Sequence, residues 1–325
     1  MIRHQFKTQD DVTLNAVETG NSLGQTILFV HGLSQSWRTW MAQFADPQLR
    51  ERFRLVALDL RGHGESQGAF GAIDQEGNPL AALAVAQYND GNVETTSRSW
   101  AYDLDATIEA LHLDHPVLIG WSAGAWAIQS YFFAHSGLGA IGKAVLYASV
   151  PVLLPSGTED GGSHLSVRPE TIDGLLRSYP INPTVEPPSP NDDRTVAMGL
   201  MDFINLCFAD ETDRAVTSAS IQGTMAFNLL TPPQVRLLLA TRSFDFRPLL
   251  VSLSDAERER IMALTPQGDR IFYAEVLNGY WAASRIRNVR VPHEGHCHHE
   301  RSADDFNKTD HRFRVVKKTP SALLR

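Results

Sequence analysis

The chain has 325 residues, 43% of them hydrophobic and 20% charged, with a formal net charge of −8; these are the proportions of a globular protein with a substantial core. No cluster of Lys and Arg interrupts that acidic balance, which argues against nucleic acid or an anionic membrane surface as a partner. Its only two cysteines, Cys207 and Cys297, lie far apart, give no disulfide framework and suit a reducing compartment. The opening Met1-Ile2-Arg3-His4-Gln5-Phe6-Lys7 lacks the apolar core of a signal peptide, and no stretch reaches membrane-helix length. The expectation is a cytoplasmic protein with no membrane insertion.

Ile2 to Lys7 and Val12 to Val17 alternate like two strands of an antiparallel edge, joined at Gln9-Asp10-Asp11. Thr26 to Val30 is a continuous apolar run, as in a strand buried on both faces, and it ends in His31-Gly32-Leu33. Strand ends of this kind in parallel sheets are where ligands bind. His31, held between a strand end and a glycine turn, reads as structural. The amide of Leu33, turned by Gly32, is the better candidate, because an amide there can face a nucleophile as half of an oxyanion hole.

A helix-like segment running from Trp37 and Trp40 to Arg52 leads into the next buried strand, Arg54 to Asp59. The turn Leu60-Arg61-Gly62-His63-Gly64-Glu65-Ser66 follows, and Asp59, Arg61 and His63 are read as fixing it by hydrogen bonds. Residues 67 to 91 are irregular and long for a connection inside a compact core, as functional lids and surface loops are. Val93 to Leu111 has helical period, with Trp100, Leu104, Ile108 and Leu111 on one face.

The next stretch organises the chain. An apolar run from Val117 stops at Gly120-Trp121-Ser122-Ala123-Gly124 and continues as a helix former from Ala125 to Phe133. A serine at the apex of a strand-to-helix turn needs small residues two before and two after it, and Gly120 and Gly124 meet that need. The helix then points its positive N-terminus at Ser122, and the amide of Ala123 becomes the other half of the oxyanion hole.

Lys143 to Ala148 reads as another buried strand. From 151 to about 240 the strand-helix alternation gives way to proline-dense chain and two helical patterns, one from Val196 to Cys207 and one from Ala215 to Leu230. We expect residues 151–240 to form a helical cap inserted into a core domain of residues 1–150 and 241–325, its Met and Phe content suiting an apolar portion of a substrate. Ile261 to Thr265, Tyr273 to Ala283 and Ile286 to Val291 then restore strand, helix and strand, with a further helix around Ala303 to Thr309.

A serine hydroxyl is a poor nucleophile unless a base takes its proton and an acid orients that base. Asp269 and His296 each follow one of the last two strands and complete the order Ser, Asp, His. Together, His31-Gly32, Asp59-Leu60-Arg61-Gly62-His63-Gly64-Glu65-Ser66, Gly120-Trp121-Ser122-Ala123-Gly124, Gly268-Asp269-Arg270 and Gly295-His296 resemble the α/β-hydrolase fold superfamily, in its cap-bearing branch of esterases, lipases and cofactor-free haloperoxidases. The resemblance implies an α/β fold with a mostly parallel central sheet flanked by helices, and no cofactor. It also implies Ser122 as nucleophile, Asp269 as acid, His296 as base and the amides of Leu33 and Ala123 as oxyanion hole. One departure is Thr265-Pro266-Gln267-Gly268-Asp269, where the family commonly has His-Gly-x-x-Asp.

The crowded His293, Glu294, His296, Cys297, His298, His299 and Glu300 are all metal-ligand types, but they lack the helical His-Glu-x-x-His spacing, so no metal is expected. The expected substrate is a small, partly apolar carboxylic ester, with Trp121, Trp37 and Met201 lining its pocket. Perhydrolases and C–C bond hydrolases that keep the same triad, and a non-catalytic ligand-binding member of the fold, are the alternatives. Nothing in the sequence speaks to oligomeric state.

Overall fold

The computed structural model describes residues 1–67, 93–153, 167–178, 181–182, 189–190, 192–208, 218–232, 235, 244–301 and 303–309. Nearly all of the irregular segment expected at 67 to 91 lies outside the described residues, as do much of the proline-dense chain before 192 and the tail beyond 309.

Eight strands make one sheet: β1 Ile2–Lys7, β2 Thr13–Gly20, β3 Gln25–Val30, β4 Phe53–Asp59, β5 Val117–Trp121, β6 Lys143–Tyr147, β7 Ile261–Pro266 and β8 Arg287–Val291. Their spatial order is β1-β2-β4-β3-β5-β6-β7-β8. The pairs β1/β2 and β2/β4 are antiparallel and every later pair is parallel, so the carboxyl ends of β3 to β8 share one edge. The continuous apolar runs occupy the middle of this sheet, where Leu28, Phe29, Leu58, Leu118 and Leu146 are fully buried, as expected for parallel strands covered on both faces.

The helix Val93–Ala110 packs along Ala123–His135, and the segment 37–52 packs against 298–309. That segment is not the single helix its composition suggests. A 3-10 turn, Trp37–Trp40, passes into Met41–Ala45, and a separate helix, Pro47–Arg52, begins after Asp46. Pro47 has no N–H to continue the first helix, and the Asp46 carboxylate caps the second by accepting from the amides of Gln48 and Leu49 at 2.8 and 3.0 Å.

All chain from 148 to 260 is inserted between β6 and β7, which are direct neighbours in the sheet. Its helices Asp193–Cys207 and Ser218–Leu230 fall where the apolar periodicity predicts them. A further helix, Pro169–Arg177, lacks a long apolar pattern but starts with the favoured Pro at its first position and packs on Asp193–Cys207. Two short helices before β7, Arg247–Ser252 and Asp255–Arg258, were also not apparent from the sequence; Ser254 and Glu257 form a reciprocal capping box at the second. No helix among the described residues is long and apolar enough to cross a membrane.

Candidate active site

Ser122 sits where β5 turns into the helix Ala123–His135, with φ 52° and ψ −116°, a backbone conformation that costs a non-glycine residue about 1–3 kcal/mol unless its surroundings enforce it. The surroundings do so. Its N–H donates to the Tyr147 carbonyl at 2.8 Å, and its own carbonyl accepts from Ala125 N at 3.0 Å and Ser149 Oγ at 2.9 Å. A Cβ on Gly120 would lie 2.6 Å from the Ala125 nitrogen, and one on Gly124 would run into the Val30 and His31 carbonyls. The tightness of this turn therefore demands glycine two residues on each side of the serine.

Asp269 follows β7 and His296 follows β8, and both are almost completely buried. Asp269 Oδ1 accepts from the amides of Ile271 and Phe272 at 2.7 and 3.1 Å, which leaves Oδ2 to meet His296 Nδ1 at 2.9 Å. The two turns that carry them are themselves joined, since Gly268 N donates to the Glu294 carbonyl and Gln267 N to the Val291 carbonyl, each at 2.9 Å. With Nδ1 engaged by a carboxylate, Nε2 is the ring nitrogen left for chemistry. Among the described residues neither Ser122 Oγ nor His296 Nε2 takes a hydrogen-bond partner, and neither atom is among those sealed from solvent without one. No hydrogen bond joins the two atoms among the described residues.

Two aromatic residues tie the serine and histidine segments together. The indole of Trp121 donates to the His296 carbonyl at 2.9 Å, and the Tyr147 hydroxyl donates to the same oxygen at 2.8 Å. Tyr147 thus binds the backbone of Ser122 through its carbonyl and that of His296 through its side chain. It lies beside Trp121 in the β5/β6 register, and nothing in the sequence beyond its place at a strand end marks it. The His296 ring is bracketed by Trp121 and Phe272, with centroids 5.6 Å away in each case.

The turn after β4 is held as its residue types suggest. The Asp59 carboxylate accepts from Trp37 N, Glu65 N and Asn15 Nδ2, while Arg61 bridges the buried Asp103 and Asp10. His31 is fully buried; Leu60 N donates to its Nε2 at 3.0 Å, so Nδ1 carries the proton and donates to the Gly32 carbonyl at 2.8 Å. Burial pushes His31 down to about 4 and His63 down to about 3, the latter also repelled by His31, and both rings stay neutral. The Leu33 amide, next along the chain from Gly32, donates to nothing among the described residues, and Ala123 N belongs to the first turn of its helix, where amides lack intrahelical partners.

Trp121 and Trp37 are packed rather than open. Trp121 lies against Gly32, His296 and His299, so its indole serves the histidine turn instead of presenting a free wall. Trp37 is buried against Phe44 and covered by the Arg38 guanidinium. Met201 is 38% exposed, while Leu200 and Ile204 of the same helix are buried. The ligand-type residues after β8 go separate ways: His298 pairs with Glu294, His299 with Thr39, and Cys297 with Cys207. Burial drives His299 well below the usual histidine range and lifts Glu300, bonded to Thr39 and Thr224, to about 7. Among the described residues no three His, Cys, Asp or Glu side chains form a group that could hold a metal ion.

A profile of the alpha/beta hydrolase family matches residues 27–309. The chain belongs to that family. It is similar to a non-heme chloroperoxidase of Burkholderia pyrrocinia, 31% identical over 177 residues that make up 54% of each chain. It is similar also to the bifunctional esterase/perhydrolase DCH of Acinetobacter calcoaceticus, 29% identical over 147 residues, 45% of each. The chain thus spans about half the length of the curated relatives it matches. Among solved structures, a putative aryl esterase from Burkholderia cenocepacia superposes with a TM-score of 0.73 at 25% identity, over 96% of this chain and 97% of that one. The esterase RhEst1 from Rhodococcus sp. ECU1013 gives the same TM-score at 23% identity, over 96% and 98% of the two chains, a likeness of fold.

Proposed function

We propose that this alpha/beta hydrolase cleaves a small, partly apolar carboxylic ester through an acyl-enzyme on Ser122. The observation that carries the reading is the buried 2.9 Å bond from His296 Nδ1 to Asp269 Oδ2, on a turn tied by Trp121 and Tyr147 to a serine held at positive φ. His296 Nε2 takes the proton as Ser122 Oγ attacks the ester carbonyl, and Asp269 stabilises the imidazolium that forms. The Leu33 and Ala123 amides, with the N-terminus of the helix Ala123–His135 behind them, receive the developing oxyanion. His296 returns its proton to the departing alkoxide, and a water deprotonated by the same nitrogen then releases the acid.

In this reading residues 151–240 are the cap. Its described parts touch both turns of the acid-base pair: Arg168 N donates to the Ile271 carbonyl and Cys297 N to the Cys207 carbonyl, each at 2.9 Å. Met201 offers the apolar surface of the cap to the substrate. The test is hydrolysis of a short-chain aryl ester by the wild type, Ser122→Ala and His296→Ala. Loss of turnover on the order of 10⁶-fold is expected for either variant. Wild-type rates in either one would overturn the mechanism.

The chloroperoxidase and perhydrolase names among the relatives favour a second reading of the same site, in which hydrogen peroxide instead of water attacks the acyl group and leaves as a peracid. Peracid formation from acetate and peroxide, measured beside ester hydrolysis, ranks the two.

A further inference from the structure

The only two cysteines of the chain, 90 positions apart in sequence, meet in the fold. Cys297 N donates to the Cys207 carbonyl at 2.9 Å, the Cys207 thiol donates to the Phe203 carbonyl at 3.5 Å, and both side chains are buried. A buried residue touches roughly 6–12 others, so two cysteines placed independently in a chain of this size would meet in about one case in thirty. Standard bond lengths on either side of a 2.9 Å hydrogen bond keep the Cα atoms within about 6.8 Å, the upper limit of the span that a disulfide bridges.

The location gives the contact a consequence. Cys207 is the last residue of the inserted helix Asp193–Cys207, and Cys297 directly follows His296. The contact therefore lies in the seam between the insertion and the turn that carries the histidine. We propose that Cys207 and Cys297 are a peroxide-oxidisable pair whose disulfide locks the inserted helix to the histidine turn.

The chemistry balances with hydrogen peroxide as oxidant. The thiolate of one cysteine takes an oxygen atom from peroxide, releasing hydroxide and forming a sulfenic acid. The neighbouring sulfur displaces that oxygen as water and the S–S bond closes, so two thiols and one peroxide yield one disulfide and two waters. Both cysteines are buried, and burial holds the Cys297 thiol well above the usual thiol range, so thiolate is scarce. The first step is consequently slow at neutral pH, quickens as pH rises and needs the seam to open locally. The second step is fast, because the partner cysteine is already held beside it by the backbone hydrogen bond.

The experiment incubates folded wild-type protein with hydrogen peroxide, unfolds it, alkylates free thiols and maps peptides by mass spectrometry. The expected product is a peptide joined through Cys207 and Cys297 with two hydrogens lost, forming faster at pH 9 than at pH 7 and reverting with dithiothreitol. The oxidised protein should also melt at a higher temperature than the reduced one. Neither Cys207→Ser nor Cys297→Ser should give the cross-link, and in each the remaining cysteine should be trapped as a sulfenic acid by dimedone. Recovery of both thiols alkylated, or oxidation of each to sulfinic acid without a cross-link, after exposure that converts exposed methionines to sulfoxide, would overturn the proposal. The readout is covalent and stands whatever becomes of the ester mechanism.

Discussion

The indole of Trp121 donates to the carbonyl oxygen of His296 at 2.9 Å, so the residue before the serine grips the backbone of the histidine. Tyr147 completes the brace, its hydroxyl donating to that same oxygen and accepting from His299 N at 3.3 Å. Tyr147→Phe keeps the ring and deletes the brace. Leaving the His299 amide without its partner should cost about 1–3 kcal/mol of stability. Because the base is then less firmly aimed, kcat should drop about 10- to 100-fold with KM little changed, a split that simple loss of folded protein would not produce. Steady-state kinetics on an aryl ester, beside a melting curve, decide it; an unaltered kcat would mean that Trp121 suffices.

Asp269→Asn should be far more damaging than its size suggests. The amides of Ile271 and Phe272 both bind Oδ1, so the amide oxygen of an asparagine stays with them and its NH₂ faces His296 Nδ1. That forces the tautomer with its proton on Nε2, unable to accept from Ser122. A loss of about 10⁴-fold in kcat follows with little change in fold, read from kinetics and circular dichroism.

Gly124→Ala tests the turn around the serine. The added methyl would enter the Val30 carbonyl and come within 2.7 Å of the His31 carbonyl, both of them backbone atoms of a central strand end that cannot rotate away. About 3 kcal/mol of destabilisation is expected, together with slower labelling of Ser122 by a fluorophosphonate. Chemical denaturation and active-site titration measure the two effects separately.

The buried pair His31 and His63, with rings 4.9 Å apart, should make the protein acid-labile. In the unfolded chain each takes a proton near pH 6.5, while in the fold they resist it down to about 4 and about 3. The unfolded state therefore binds more protons, and stability falls as pH drops below 6.5, by about 1.4 kcal/mol per unit for each histidine until its folded value is reached. Above pH 7 their contribution is complete and flat. Urea midpoints across pH 4–8 should show this slope, and His63→Gln should lower it.

The sequence alone determined much of this protein: the eight strands, the serine turn and the chain order of Ser122, Asp269 and His296 are local patterns. Apolar runs, periodicity and obligatory glycines record the demands of each segment on itself. The break at Asp46-Pro47 was local too, but it was hidden beneath an apolar pattern that reads through it. Tertiary structure alone decided which oxygen of Asp269 meets His296, that Trp121 and Trp37 are packed rather than open, that Tyr147 holds two segments at once, and that Cys207 touches Cys297. The reason is physical. Such contacts join residues tens to hundreds of positions apart, and their partners are chosen by strand order and by how the inserted helices seat on the sheet edge, neither of which leaves a periodic trace in the chain.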